Sequence, residues 1–259
     1  MIDLTTTYGP GVALDEPWLE IDDSKFRSRL IVGVEQYNSL SVVRDILEAT
    51  GADVFITTVD PDNHRPSLLL SDLDAVLPLE RFIWIGTTSF SRSKESALRT
   101  AEILRDSLGI NILKLDVRGH DNRPDNRSTV EAATELRARG MELMPFIIPD
   151  LESARLLEEA GCAALRVMAS PVASGRGIMD PAAIRAVIDQ CRIPVIVEGG
   201  LGSAKHVVFA MELGAAATLV NTALVRARDP LKMATAMRQA AMAGRLAYES
   251  GPMAGDLAS

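Results

Sequence analysis

The chain has 259 residues, a formal net charge of -8, 47% apolar residues and only 4% aromatic ones. That length allows one large domain or two small ones, and the core must be built mainly from aliphatic side chains. The acidic balance argues against a nucleic-acid partner, because phosphate backbones are held by basic surfaces.

Residues 1–25 lack clear periodicity and read as an N-terminal extension, with one short strand at most, around Trp18–Ile21. Apolar runs of strand length then recur: "SRLIVGV" (Ser28–Val34), "DVFITTV" (Asp53–Val59), "RFIWIG" (Arg81–Gly86) and "NILKLDV" (Asn111–Val117). "ELMPFII" (Glu142–Ile148), "AALRVMA" (Ala163–Ala169), "PVIVEGG" (Pro194–Gly200) and "ATLVNTA" (Ala217–Ala223) complete a set of eight. Between most of them the apolar residues follow a 3.6 period, predicting helices over Ser93–Leu108, Ser128–Arg139, Leu151–Ala160, Pro181–Gln190, Ala204–Leu213 and Pro230–Tyr248. The connection around Pro66–Leu77 shows little helical pattern. Ser39 or Ser41, Ser128, Asp150, Asp180, Ser203 and Asp229 are placed to cap helix starts, and glycines close several helices before the next strand.

Eight strand–helix units predict an α/β chain folded as a (β/α)8 TIM barrel over residues 26–250, with 251–259 as a C-terminal tail. A doubly wound sheet is the alternative. The turn after the first strand, "GVEQY", carries no dinucleotide fingerprint. Cys162 and Cys191 form no CxxC or Cys/His cluster and read as small buried fillers, and neither a metal nor an organic cofactor is expected. With no apolar run of 18 residues and no signal-peptide pattern, a soluble cytoplasmic chain without a membrane partner is expected.

Barrel enzymes place their chemistry at the C-terminal ends of the strands. Lys114 and Asp116 stand two apart at that end of the fourth run, so both project to one side. Glu198 ends the seventh run and Arg166 sits within the sixth. Buried charge is expensive unless paired. Two readings fit: an amine that attacks a carbonyl to form an imine, with Asp116 and Glu198 moving protons, or a structural ion pair plugging the barrel. "EGGLGS" (Glu198–Ser203) and "VNTAL" (Val220–Leu224) occupy the loops after strands seven and eight, where barrels often hold a phosphate. Gly199, Gly200 and Gly202 would let backbone approach such an anion, with Asn221 and Thr222 adding side-chain donors; the competing reading is a tight strand-to-helix turn. "SPVASGRGI" (Ser170–Ile178), with Gly175 and Arg176, fits a lid, a phosphate contact or a plain flexible loop. His120 and His64 read as solvated loop residues, and His206 as surface or packing.

These stretches resemble the thiazole synthase family, called ThiG in bacteria, from about Phe26 to Gly251. "ILKLDV", "LLEEAGCAALR", "ASPVASGRGI", "IPVIVEGGLGSAKH" and "AMELGAAATLVNTAL" carry the resemblance. It implies that Lys114 forms an imine with a phosphorylated sugar, that Asp116 and Glu198 stand at the acid/base positions, and that Gly200, Gly202 and Asn221–Ala223 belong to the phosphate site. It also implies sulfur supplied by the C-terminal thiocarboxylate of a ubiquitin-like sulfur carrier protein, and a homo-oligomer, dimer or tetramer.

Several positions depart from the family pattern. Asp116 replaces a glutamate and Glu198 an aspartate, while Arg166 stands where an apolar residue is usual. Asp60–Asp62 replace paired arginines, Thr87–Phe90 replace "NTAG", and Glu35 occupies a glycine position. Added polar groups (Arg166, Asp60, Glu35, Thr87) would suit a substrate with more hydroxyls. The favoured expectation is therefore a divergent member resembling 2-thiosugar synthases, acting on a hexose phosphate. The alternatives are thiazole synthesis on 1-deoxy-xylulose 5-phosphate, a non-catalytic phosphometabolite-binding barrel, and a lysine aldolase or isomerase that uses no sulfur.

Overall fold

The computed structural model describes residues 16–34, 37, 39–58, 77–251 and 253. Glu35, Asp60–Asp62, His64, residues 1–15 of the extension, the 66–76 part of the Pro66–Leu77 connection and most of the 251–259 tail lie outside the described residues.

Short runs rich in Val, Ile and Leu form the strands, as β-branched and aliphatic residues favour an extended, buried backbone. After a hairpin of β1 (Leu19–Ile21) and β2 (Ser24–Phe26) come β3 (Leu30–Val32), β4 (Val54–Thr57), β5 (Ile83–Thr87) and β6 (Ile112–Leu115). They are followed by β7 (Glu142–Ile147), β8 (Leu165–Met168), β9 (Val195–Glu198) and β10 (Ala217–Val220). The last eight pair in parallel in the order β3-β10-β9-β8-β7-β6-β5-β4, and β3 packs beside β4, so the ring is nearly closed. The helices are α1 (Leu40–Thr50), α2 (Lys94–Leu108), α3 (Asn126–Ala138), α4 (Leu151–Glu159), α5 (Pro181–Gln190), α6 (Ala204–Glu212), the single turn α7 (Thr222–Val225) and α8 (Pro230–Ser250). This is a (β/α)8 barrel. Among the described residues no helix is long and apolar enough to cross a membrane.

Capping follows the sequence signals in part: Ser39 and Ser203 stand at N-cap positions without a side-chain capping bond, and one cap is shifted. Asp150, Asp180 and Asp229 each accept a backbone N–H at their helix starts. In α3 the cap is Asp125, whose carboxylate accepts from Ser128 N at 3.1 Å, so Ser128 is the capped residue and not the cap. A carboxylate there accepts from the exposed first-turn amides and meets the positive end of the helix dipole.

Alternation along each strand sorts side chains into two cores. Outward-facing residues such as Leu113, Leu143, Leu165 and Val197 pack against the helices. Inward-facing ones, among them Ile31, Ile56, Ile85, Met144, Ile196 and Leu219, fill the barrel. The hairpin belongs to this inner core. Leu19, Ile21 and Phe26 join it, and Phe26 is fully buried with Trp18 edge-on at 5.8 Å. The sequence suggests one strand here, whereas two form, joined by Asp22–Asp23 with Asp22 at φ 49°. Asp is among the few non-glycine residues that tolerate that conformation. The hairpin thus stops the N-terminal end of the barrel, and the filling changes from apolar to charged toward the other end.

Candidate active site

The alternation that places Lys114 inside the barrel carries on past the end of β6, so Lys114, Asp116 and Arg118 line up on one side. Arg118, two residues before the His120 that reads as a solvated loop residue, is buried and grips Asp116 Oδ2 through Nε at 2.9 Å and Nη2 at 2.5 Å. From β8, Arg166 Nη2 donates to Asp116 Oδ1 at 2.5 Å and to Glu198 Oε1 at 3.2 Å, and its Nε donates to Glu198 Oε2 at 3.2 Å. Its Nη1 donates to the Met144 carbonyl at 3.1 Å, and the guanidinium stacks 5.0 Å from the Phe146 ring centre. Lys114 Nζ lies 3.4 Å from Asp116 Oδ1, 3.9 Å from Glu198 Oε1 and 3.3 Å from Ser89 Oγ. Three cationic side chains and two carboxylates therefore share one buried cluster. The sequence reading brought Lys114, Asp116, Glu198 and Arg166 together correctly, and it missed Arg118, Ser89 and Phe146.

A cavity of about 720 Å³ opens beside this cluster at the C-terminal end of the barrel. Lys114 and Glu198 line it; Asp116, fully buried, and Arg166, 1% exposed, lie behind its wall. Arg166, expected from sequence as a substrate or phosphate contact, has its donors turned to the two carboxylates and to backbone instead. Burial by itself would push the Asp116 pKa up, but Arg166, Lys114 and Arg118 outweigh it and hold the carboxyl well below the usual carboxylate range. The surrounding cations thus favour the ionised form of Asp116.

Gly175, Gly199, Gly200, Gly202, Asn221 and Thr222 all line the cavity. The glycines also interlock two loops. Ser170 N donates to Gly199 O at 3.2 Å and Gly177 N to Gly200 O at 2.9 Å, so the 170–178 loop is tied to the 199–203 loop. Gly200 has φ 66°, and a Cβ there would fall 1.8 Å from Ser170 Oγ. Gly202 needs its missing side chain because a Cβ would meet Gly175 Cα at 2.7 Å. Its N–H donates to His206 Nδ1 at 3.1 Å, so that amide is already engaged. Burial and then Lys205 lower the His206 pKa, favouring the neutral ring whose Nδ1 accepts. His206 is therefore a prop beneath the glycine loop. His120 is exposed and Cys162 buried, as expected, while Cys191 is only half-buried.

The cavity's charge runs against that of the chain. Among the described residues its lining includes Lys114, Arg92, Arg118 and Arg226, with Glu198 as the one carboxylate. In a chain of net charge -8 this is a local positive field suited to a small anionic ester. Among the described residues no cluster of three or more His, Cys, Asp or Glu is arranged to hold a metal ion.

Residues 20–258 match the family model described as "Thiazole biosynthesis protein ThiG". The thiazole synthase of Aquifex aeolicus is 37% identical over 242 residues, covering 93% of this chain and 90% of that protein. The thiazole synthase of Exiguobacterium sibiricum is 38% identical over 235 residues, covering 90% and 92%. Among solved structures, the Amycolatopsis orientalis BexX/CysO complex contains a chain 75% identical, with TM-score 0.91, covering 92% of this chain and 98% of that one. Thiamine phosphate pyrophosphorylase from Pyrococcus furiosus, 16% identical with TM-score 0.56 over 83% of this chain and 95% of that one, shares the fold alone.

Proposed function

The chain belongs to the ThiG family, and from that premise we propose that it joins Lys114 to a phosphorylated sugar as an imine and puts sulfur on that sugar from a carrier-protein thiocarboxylate. The observation that carries this reading is a nearly buried amine that faces a cationic cavity with a carboxylate 3.9 Å away. Such an amine attacks a carbonyl carbon, the carbinolamine loses water, and a neighbouring acid supplies the proton that the departing oxygen needs. The imine acidifies the adjacent carbon, so the carbonyl can migrate along the sugar by proton transfers. Thiocarboxylate sulfur then adds to the carbonyl carbon. In the sum of the steps a sugar C–OH becomes C–SH and the carrier's thiocarboxylate becomes a carboxylate, with no redox partner required.

The phosphate sits against the 199–203 loop and the Asn221–Thr222 turn, within the positive field of the cavity. A hexose phosphate giving a 2-thiosugar phosphate is the substrate we favour. Support comes from 75% identity to BexX, against 37% to the Aquifex thiazole synthase, and from polar departures such as Thr87 in the cavity wall. Because BexX was solved in complex with CysO, a macromolecular sulfur donor is the partner we assign here. Residue roles are Lys114 as nucleophile and the Asp116–Glu198 pair as the group managing protons.

Borohydride reduction in the presence of glucose 6-phosphate, fructose 6-phosphate or 1-deoxy-xylulose 5-phosphate, read by intact mass, tests this. A reduced hexose adduct on wild type and none on Lys114→Ala is expected. No adduct with any of these sugars, or one that survives Lys114→Ala, overturns the reading. Preference for 1-deoxy-xylulose 5-phosphate, with thiazole formed when the carrier and an iminoglycine are added, would return the chain to thiazole synthesis.

A further inference from the structure

Three of the positions at which the sequence departs from the family pattern, 116, 166 and 198, form a single contact. Arg166 spans both carboxylates, taking Glu198 along its Nε–Nη2 edge at 3.2 Å and Asp116 through Nη2 at 2.5 Å. The guanidinium is itself fixed by the Met144 carbonyl below and the Phe146 face beside it.

We propose, resting on the imine reading above, that Arg166 is a positioning residue that gives the two carboxylates unequal work. Asp116 is a fixed counter-ion behind the wall, and Glu198, held in aim at Lys114, is the proton-moving group.

The environments differ in the way this division needs. Both Asp116 oxygens are taken by charged donors, Oδ1 by Arg166 and, at 3.4 Å, by Lys114, and Oδ2 by two donors of Arg118, and the residue has no exposed surface. A proton arriving there would have to break charge-assisted bonds, which are about twice as strong as neutral ones. Among the described residues Glu198 is held by one guanidinium; it lines the cavity and lies 3.9 Å from Lys114 Nζ. Proton transfer to and from a sugar oxygen needs a group that touches the substrate space, and of the two only Glu198 does. The lowered pKa of Asp116 agrees with this geometry.

Arg166→Met and Arg166→Lys test the division through imine formation with fructose 6-phosphate, followed against sugar concentration. In Arg166→Met the rate of imine formation falls about 100-fold, the scale of a misplaced general acid or base, while half-saturation by the sugar changes less than about threefold. Arg166→Lys keeps the charge without the fork, so its rate falls too, by less than that of Arg166→Met. A large rise in half-saturation would mean that Arg166 touches the sugar, and an unchanged rate in the variants would mean a purely structural role; either overturns the proposal. Should Arg166→Met not fold, Arg166→Lys carries the same test. Infrared difference spectra of wild type against Asp116→Asn and against Glu198→Gln need no substrate, so they separate this proposal from the imine reading. A protonated-carboxyl band assigned to Asp116 at about pH 5, above its ordinary value, sinks the division even if Lys114 forms an imine. A missing imine with no such band sinks only the function.

Discussion

The buried cluster contains Lys114, Arg118 and Arg166 against Asp116 and Glu198, one cation more than it has anions. Two nearly isosteric substitutions should therefore move stability differently. Asp116→Asn leaves three cations facing one carboxylate and strips both arginines of a charged partner; breaking a buried pair from one side costs about 3–5 kcal/mol. Melting entropy of about 2.1 cal/mol/K per residue, taken over the chain, makes each kcal/mol worth about 2 °C, so Tm falls by about 6–9 °C. Lys114→Met deletes the surplus cation and replaces it with an unbranched apolar chain of similar length. Its Tm is expected to stay level or rise, although imine formation is abolished. Stability given up for chemistry is common where a site is built from like charges. Thermal unfolding followed by circular dichroism on the two variants and wild type decides it. Equal losses in both, or a larger loss in Lys114→Met, would refute the charge-count reasoning.

Gly200→Ala would force a Cβ onto Ser170 Oγ at a positive φ, so it should lose about 1–3 kcal/mol of stability and weaken protection by inorganic phosphate against thermal unfolding. His206 has a folded-state pKa below its unfolded value, so the unfolded chain binds its proton first. Its contribution to stability is flat above about pH 6.5 and falls as pH drops through the interval down to the lowered folded value; urea melts of His206→Leu should lack that slope. Asp116 shifts in the same direction, through its cationic partners instead of burial, so its slope has the same sign at lower pH. Its stabilisation is complete above about pH 4 and lost only as pH falls toward its lowered folded value, a slope that Asp116→Asn should abolish in acid titrations. Phe26→Ala, at a fully buried position in the hairpin, should cost about 3–5 kcal/mol by denaturant unfolding.

Much of the barrel was legible because its strands are short apolar runs separated by helices of clear period, and Lys114 and Asp116 two apart in such a run already named the site. Arg118 was legible in principle: it extends the same alternation by one more step, but the charged residues around it suggested a solvated loop. The depth of Arg166 was not. Inward projection follows from alternation, whereas height in the barrel depends on the stagger between strands, and no single strand encodes it. Met168, not Arg166, pairs with Glu198, which drops Arg166 beneath the cavity floor. The hairpin escaped notice because three-residue strands are too short to show a period. Gly202 shows the same limit, since only the fold brings His206 Nδ1 to its amide.

The hairpin closes one end of the barrel, and the described mouth that reaches Lys114 lies at the other. On the proposed reaction a small sugar ester and the tail of a protein donor share that mouth. Binding the ester beyond the donor's tail would make traffic first in, last out, with the product held until the spent donor withdraws. Steady-state kinetics should then be ordered, with the donor protein inhibiting at high concentration by closing that mouth.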